Sequence, residues 1–289
     1  MKEILVLSGK GGTGKTTITA SLAILAENSV LADCDVDAAD LHLLMSPQVK
    51  ETNEFWSGVT ARVDQDKCSG CGTCAELCRF DAISMDERAE IDHFSCEGCT
   101  VCSVFCPEEA ISLEPNLSGE WYKSETKYGP MIHAAIHIGE ENSGKLVSLV
   151  KREARELAEK RKANWIIVDG PPGIGCPVIA SFSGADLVLG ITEPTGSGLH
   201  DLKRLIDLAH HFKTDICVCI NKWDLNKEFS DEIEAYLRQE GIPLVAKVPF
   251  DKGVVESLVA GVPLLEYNQG LAAKAVKEMW SRIKALVPA

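Results

Sequence analysis

The chain has 289 residues, 45% of them hydrophobic, with 29 Lys and Arg against 43 Asp and Glu and a formal net charge of -14. That supplies apolar residues for a sizeable core, and the acidic balance argues against nucleic acid as a partner, because affinity there comes mainly from Lys and Arg neutralising phosphates. No apolar run reaches membrane-spanning length, and the opening MKEILVLSGKGG is too short for a secretory h-region, so a cytoplasmic chain without a membrane span is expected. Twelve cysteines in such a chain point to metal or redox chemistry rather than disulfides.

In chain order, EILVLSG (3–9) reads as a short apolar strand ending in glycine, and TITASLAILAEN (17–28) as a helix. Between them Gly9, Gly14, Lys15 and Thr16 satisfy G-x-x-x-x-G-K-[ST]. Such glycines let backbone N–H groups converge on phosphate oxygens at a helix N-terminus, with Lys15 at the β and γ phosphates and Thr16 on Mg²⁺. The expected nucleotide-binding set is Gly9, Gly11, Gly12, Thr13, Gly14, Lys15, Thr16 and Thr17. A Gly-rich turn without a ligand is the bland alternative; strand, loop and helix in the right order disfavour it.

Residues 68–83, CSGCGTCAELCRFDAI, and 96–111, CEGCTVCSVFCPEEAI, repeat with a period of 28 and match at seven of sixteen positions. Each carries C-x2-C-x2-C-x3-C, the spacing of bacterial two-cluster ferredoxins, in which the fourth Cys of one run ligates the other cluster. Cys68, Cys71, Cys74 and Cys106 are the expected ligands of one [4Fe-4S] cluster, and Cys78, Cys96, Cys99 and Cys102 of the second. Zinc is the competing reading, but zinc ribbons use two separated pairs rather than four cysteines in eleven residues. Pro107 follows Cys106 as in that pattern, whereas Arg79 follows Cys78. From 64 to 109 eleven acids face only Lys67, Arg79 and Arg88, so a partner docking there is expected to be basic, unless the acids form only a solubilising face.

Further on, KLVSLVKREARELAEKRK (145–162) reads as an amphipathic helix whose basic end suits the C-terminal dipole. Cys217 and Cys219 share one face of an apolar strand in ICVCINKWD (216–224) and read as small buried hydrophobes. His133 and His137 lack metal-type neighbours and read as structural. In LAAKAVKEMWSRIKALV (271–287), Leu271, Ala275, Met279, Trp280, Ile283 and Leu286 form an apolar stripe, expected to pack on a sheet, with membrane binding the alternative.

Lys10, directly after Gly9, makes GKGGTGKTT resemble the deviant P-loop of the MinD, ParA, Mrp and nitrogenase iron protein superfamily. The resemblance covers most of the chain outside 64–113. It implies that Lys10 reaches across a nucleotide-sandwich dimer to the partner's phosphates. It also makes VLADCDVDAAD (30–40) the second strand and switch I, and WIIVDGPPGIG (165–175) the Walker B strand and switch II. Asp35 then orients the attacking water, Asp169 holds Mg²⁺ through water, and Asn221 recognises adenine. Asn221, Lys222 and Asp224 also spell N-K-x-D, which reads guanine in GTPases. The roles of Asp37 and Asp40 stay open. Cys176 sits at the offset of the cluster-bridging cysteine of the nitrogenase iron protein, but no second cysteine occurs from 107 to 175.

The expected fold is therefore a doubly wound, mostly parallel α/β sheet of a P-loop NTPase (1–63 and 114–289) with a small inserted bacterial-ferredoxin-like α+β module (64–113). The expected cofactors are ATP or ADP, Mg²⁺ and two [4Fe-4S] clusters. The expected partners are a second copy or a paralogue, and a redox or Fe-S acceptor protein. Complete four-cysteine sets favour retained clusters, hence ATP-dependent electron transfer. Cluster delivery, as in Mrp, is the alternative, and positioning as in MinD or ParA leaves the insertion unexplained.

Overall fold

A computed structural model describes residues 1–137 and 143–287. The chain divides into two compact units: Met1–Asn53, Trp121–Ala135 and Ser143–Ala289 form the first, Glu54–Glu120 with Ile136–Asn142 the second.

The first unit is built on a nine-stranded sheet whose interior includes β1 (Lys2–Ser8). Ile4, Leu5, Val6 and Leu7 of β1 are all fully buried, the pattern of a parallel strand covered on both faces. The other strands are β2 (Ser29–Asp33), β3 (Gln48–Val63), β6 (Ile111–Thr126), β7 (Gly129–Ile136), β8 (Trp165–Pro172), β9 (Leu187–Thr192), β10 (Asp215–Asn221) and β11 (Leu244–Val248), while β4 (Ile83–Met85) and β5 (Ala89–Ile91) belong to the second unit. The order is β11-β10-β9-β1-β8-β2-β7-β6-β3. Every pairing from β11 to β7 is parallel. Of β3 and β6, residues 48–53 and 121–126 belong to the first unit.

Helices cover both faces. On one, Ile4 and Val6 share a core with Ile18 and Leu22 of α1 (Lys15–Leu25), with Leu41 of the short α2 (Leu41–Met45), and with Val276 and Met279 of α11 (Leu271–Leu286). The α11 stripe is thus packed on the sheet side, with Trp280 edge-on to Trp165 at 5.1 Å between ring centroids. Its two ends differ from the expected stripe: Leu271 and Leu286 are exposed, and Ala272, Ala273 and Val276 are buried instead. Against β2 and β9 pack α5 (Ser143–Arg161) and α7 (Gly196–His211). The remaining helices of this unit are α6 (Cys176–Phe182), α8 (Lys227–Gln239), α9 (Lys252–Val259) and α10 (Leu264–Tyr267).

The second unit contains the whole 64–113 segment and is wider than it, because residues 54–63 of β3 and 111–120 of β6 run on into it. It holds the antiparallel β4–β5 pair, registered Ile83 to Ile91 and Met85 to Ala89, and two short helices, α3 (Thr73–Leu77) and α4 (Val101–Val104). The 28-residue repeat is visible in the backbone. Positive φ occurs at Gly70 and Gly98, at Gly72 and Thr100, and at Asp81 and Glu109, each pair 28 residues apart. Its small core joins Ala61, Cys74, Ala89 and Ile111, with Cys68, Cys96, Cys102 and Cys106 packed against it.

Candidate functional sites

The residues of the P-loop lie where open α/β sheets place ligands, outside the carboxyl ends of parallel strands. Gly9 follows β1, Asp33 ends β2, Asp169 lies in β8, Thr192 ends β9 and Asn221 ends β10. Two glycines are required by geometry. A Cβ on Gly9 would stand 2.2 Å from Cβ of Asp201 on α7, and one on Gly14, at φ 87°, would meet Nδ2 of Asn221 at 2.4 Å. Asn221 Nδ2 donates to the Thr13 carbonyl at 2.7 Å, which ties the loop to the end of β10.

Lys15 is 6% exposed and lies among carboxylates: its Nζ is 2.9 Å from Asp169 Oδ1 and 3.5 Å from Asp35 Oδ2. Burial alone disfavours the ammonium, but the attraction of Asp169 and Asp35 outweighs it and raises the Lys15 pKa. Thr16 and Thr19 also donate to Asp169, each at 2.8 Å. Asp33 is fully buried; it accepts from the backbone N–H groups of Asp35 at 3.2 Å and Leu41 at 3.3 Å, so it fixes the segment that carries Asp35. Burial, with Asp169 nearby, pushes the Asp33 carboxyl far up, and burial lifts Asp35 to about 6. Asp33 is the positioning carboxylate that sequence reasoning did not single out; its place at the end of the second strand, two residues before Asp35, was the available signal.

Lys10 is in different surroundings. Its Nζ is 3.5 Å from Glu193 Oε2 and 3.4 Å from Ser197 Oγ. The other oxygen of Glu193 takes Lys222 Nζ at 2.5 Å, which also donates to the Gly12 carbonyl at 3.2 Å. Beside the loop a cavity is lined by Gly12, Gly14, Thr17, Asn221, Lys222 and, further along the chain, Phe250 and Val255. Asp224 does not line it; its Oδ1 accepts from the Phe250 N–H at 2.7 Å.

In the second unit the eight repeat cysteines sort into two cavities. Cys68, Cys71, Cys74 and Cys106 line one together with Val63, Met85 and Ile111. Cys78, Cys96, Cys99 and Cys102 line the other together with Phe80, Ile83 and Ile91. Each set takes its fourth member from the other run. The Ala110 N–H donates to Cys106 Sγ at 3.3 Å. Burial raises the Cys74 and Cys102 thiols, whereas hydrogen bonding with Thr73 lowers Cys71. Among the described residues no three His, Cys, Asp or Glu side chains are grouped to hold a metal ion.

Cys217 and Cys219, read as small hydrophobes, are buried, as is Cys34, and burial raises all three thiols. Cys176 is exposed at the start of α6. His133 is bonded to Ser124 at 2.9 Å and stacked on Tyr122.

A phosphate-type loop at the carboxyl ends of a doubly wound parallel sheet defines a P-loop nucleotide-binding protein. Residues 4–264 match the family described as the CobQ/CobB/MinD/ParA nucleotide binding domain, and the chain belongs to that family. An uncharacterized protein of Methanocaldococcus jannaschii is 35% identical over 289 residues, covering 99% of this chain and 97% of its own length. A 30-residue stretch, 10% of this chain, is 60% identical to 4% of an iron-sulfur component of CoB–CoM heterodisulfide reductase from Methanopyrus kandleri. Among solved structures, the septum site-determining protein MinD of Pyrococcus horikoshii complexed with Mg-ADP superposes with a TM-score of 0.61 at 18% identity, covering 99% of this chain and 97% of that one. At that identity the likeness concerns the fold. No helix among the described residues is long and apolar enough to cross a membrane.

Proposed function

We propose that the chain is a cytoplasmic ATP-dependent switch, working as a dimer, that couples nucleotide binding and hydrolysis to electron transfer through two [4Fe-4S] clusters. Residues 1–63 and 114–289 would form the ATPase domain and 64–113 the ferredoxin-like insertion. One observation carries the reading: each of two interleaved four-cysteine sets lines its own cavity, in a chain whose first unit is a P-loop fold.

On the nucleotide side, Lys15, now paired with Asp169 and Asp35, would hold the β and γ phosphates, Thr16 and Asp169 would hold Mg²⁺, and Asp35 would orient the attacking water. The raised Asp35 pKa gives it some capacity to take a proton near neutrality. The base enters beside Asn221. Adenine is favoured over guanine because Asp224, the last member of N-K-x-D, is engaged by the Phe250 N–H and lies outside the cavity lining. Lys10 supplies positive charge to the nucleotide of a second copy, as an arginine finger does.

On the other side, two runs of four cysteines in eleven residues, each lending its fourth cysteine to the cavity of the other, fit a two-cluster ferredoxin pattern better than a zinc ribbon with its two separated pairs. Cys68, Cys71, Cys74 and Cys106 would hold one cluster, and Cys78, Cys96, Cys99 and Cys102 the other. Each cluster, when bound, exchanges one electron. The chain's own share is to supply the thiolates, the N–H donor at Cys106 and walls of Val63, Ile83, Ile91 and Ile111 that limit water. The acceptor would dock on the acidic 64–109 surface and carry a basic face.

The test is the metal content of anaerobically purified protein. About eight iron and eight acid-labile sulfide per chain are expected. Stoichiometric zinc without sulfide would overturn the cluster assignment.

A further inference from the structure

The Glu193 carboxylate bridges two cations of the phosphate loop region, one on each oxygen. Lys222 is held close, at 2.5 Å, and is also anchored to the Gly12 carbonyl. Lys10 is held loosely, at 3.5 Å, with Ser197 Oγ at 3.4 Å as its second partner. Glu193 is 15% exposed, and the two lysines are about equally exposed, Lys222 31% and Lys10 37%, so the division lies in the contacts. A lysine meant for a second molecule's phosphates is thus met, in the single chain, by an acid on the β9–α7 connection. Thr195 caps α7 by accepting the Gly198 N–H at 3.0 Å, and Thr192 donates to the Gly198 carbonyl at 3.0 Å, so this connection is braced from both sides.

We propose that Glu193 is a positioning residue that parks Lys10 against its own chain, with Lys222 as the fixed counter-ion, so that Lys10 reaches a second copy only by exchanging Glu193 and Ser197 for phosphate. This rests on Lys10 acting in trans. Long, part-exposed ion pairs are weak enough to break on dimerisation, whereas the Lys222 arm keeps the carboxylate in place when Lys10 leaves. Lys10 then costs little to release, yet without phosphate to receive it the parked state prevails. Two such contacts are broken per dimer, so their effects multiply.

The test uses the full-length, anaerobically purified chain and Glu193→Gln, which removes the charge but keeps an oxygen for Lys222. Sedimentation with Mg²⁺ and a non-hydrolysable ATP analogue gives the protein concentration at half dimerisation. For Glu193→Gln it is expected to fall about fourfold or more, a factor of roughly two for each exposed pair. Ser197→Ala, which leaves Glu193 intact, should move it the same way by less. A midpoint that is unchanged or raised in Glu193→Gln overturns the parking role. So does a shift that survives in the Lys10→Ala, Glu193→Gln double variant, because a structural effect alone would not need Lys10. Turnover in Lys10→Ala separates the two levels. If it collapses while Glu193→Gln moves nothing, only the parking role fails; if it is unchanged, the action of Lys10 in trans fails and the parking role with it.

Discussion

Lys15 and Lys10 stand five residues apart, and their surroundings differ. Lys15 is buried against Asp169 and Asp35. Lys15→Ala should therefore abolish tight nucleotide binding in a fluorescent-nucleotide titration, and also destabilise the free protein by about 3 kcal/mol, because it leaves buried carboxylates uncompensated. Lys10→Ala should bind nucleotide normally and lose phosphate release by about 10³-fold, the lower end of what an arginine finger contributes. A second residue-scale prediction concerns pH. Burial, and then the neighbouring His42, depress the His133 pKa to about 4. The unfolded chain, titrating near 6.5, then binds more protons between pH 6.5 and 4, so this contribution is present above 6.5 and is lost as pH falls towards 4. Its full size is about 3 kcal/mol, from the free energy that one pKa unit represents. Urea unfolding at pH 7 and pH 4.5 should show a larger loss for the wild type than for His133→Gln. The phosphate loop and the eight cysteines were legible as residues because their spacing is a chemical requirement. Lys151 was not: it reads as one more charge on an amphipathic helix, but it is 3% exposed and paired with Glu3 at 2.6 Å, beside Arg155 at 2.7 Å from the same carboxylate. Only tertiary placement of β1 against α5 reveals that.

At the scale of elements, α1 begins where Gly14 allows it to. Gly14→Ala would force a left-handed φ on a residue with a Cβ and push that Cβ into Asn221, so a loss of about 2 kcal/mol or more in stability is expected, along with weaker nucleotide binding. The α11 stripe makes the complementary prediction. Trp280→Ala should cost about 3 to 5 kcal/mol by chemical denaturation, because the ring is buried against Trp165. Addition of lipid vesicles should not change the helix's exposure to proteolysis. Elements with continuous apolar runs, β1, β8 and β10, were readable from sequence, since burial on both faces leaves no polar alternation. The strands β3 and β6 were not. Their residues are largely exposed or half-buried, and the pattern along Gln48–Val63 lacks the apolar run that marks a covered strand. For the same reason the insertion reads as 64–113 in sequence, while the compact unit extends along these strands to residues 54 and 120.

For the whole molecule, the proposal joins a nucleotide switch and an electron conduit in one polypeptide. Residues 54–120 lie in the sequence between Asp35 and Asp169, and the proposed coupling requires that segments moved by a γ-phosphate near those acids alter the surroundings of the clusters. Linkage then requires reciprocity: if nucleotide state changes the cluster potential, oxidation state changes nucleotide affinity by the same factor. The most direct measurement is a redox titration of the cluster-loaded protein with ADP and with a non-hydrolysable ATP analogue, followed by iron analysis after incubation with an apo-ferredoxin. The account predicts potentials that differ between the two nucleotides, a shift of about 59 mV corresponding to a tenfold change in a one-electron equilibrium, with iron retained on Cys68 to Cys106. Identical potentials together with stoichiometric transfer of iron and sulfide to the apo-ferredoxin would contradict it and establish cluster delivery instead.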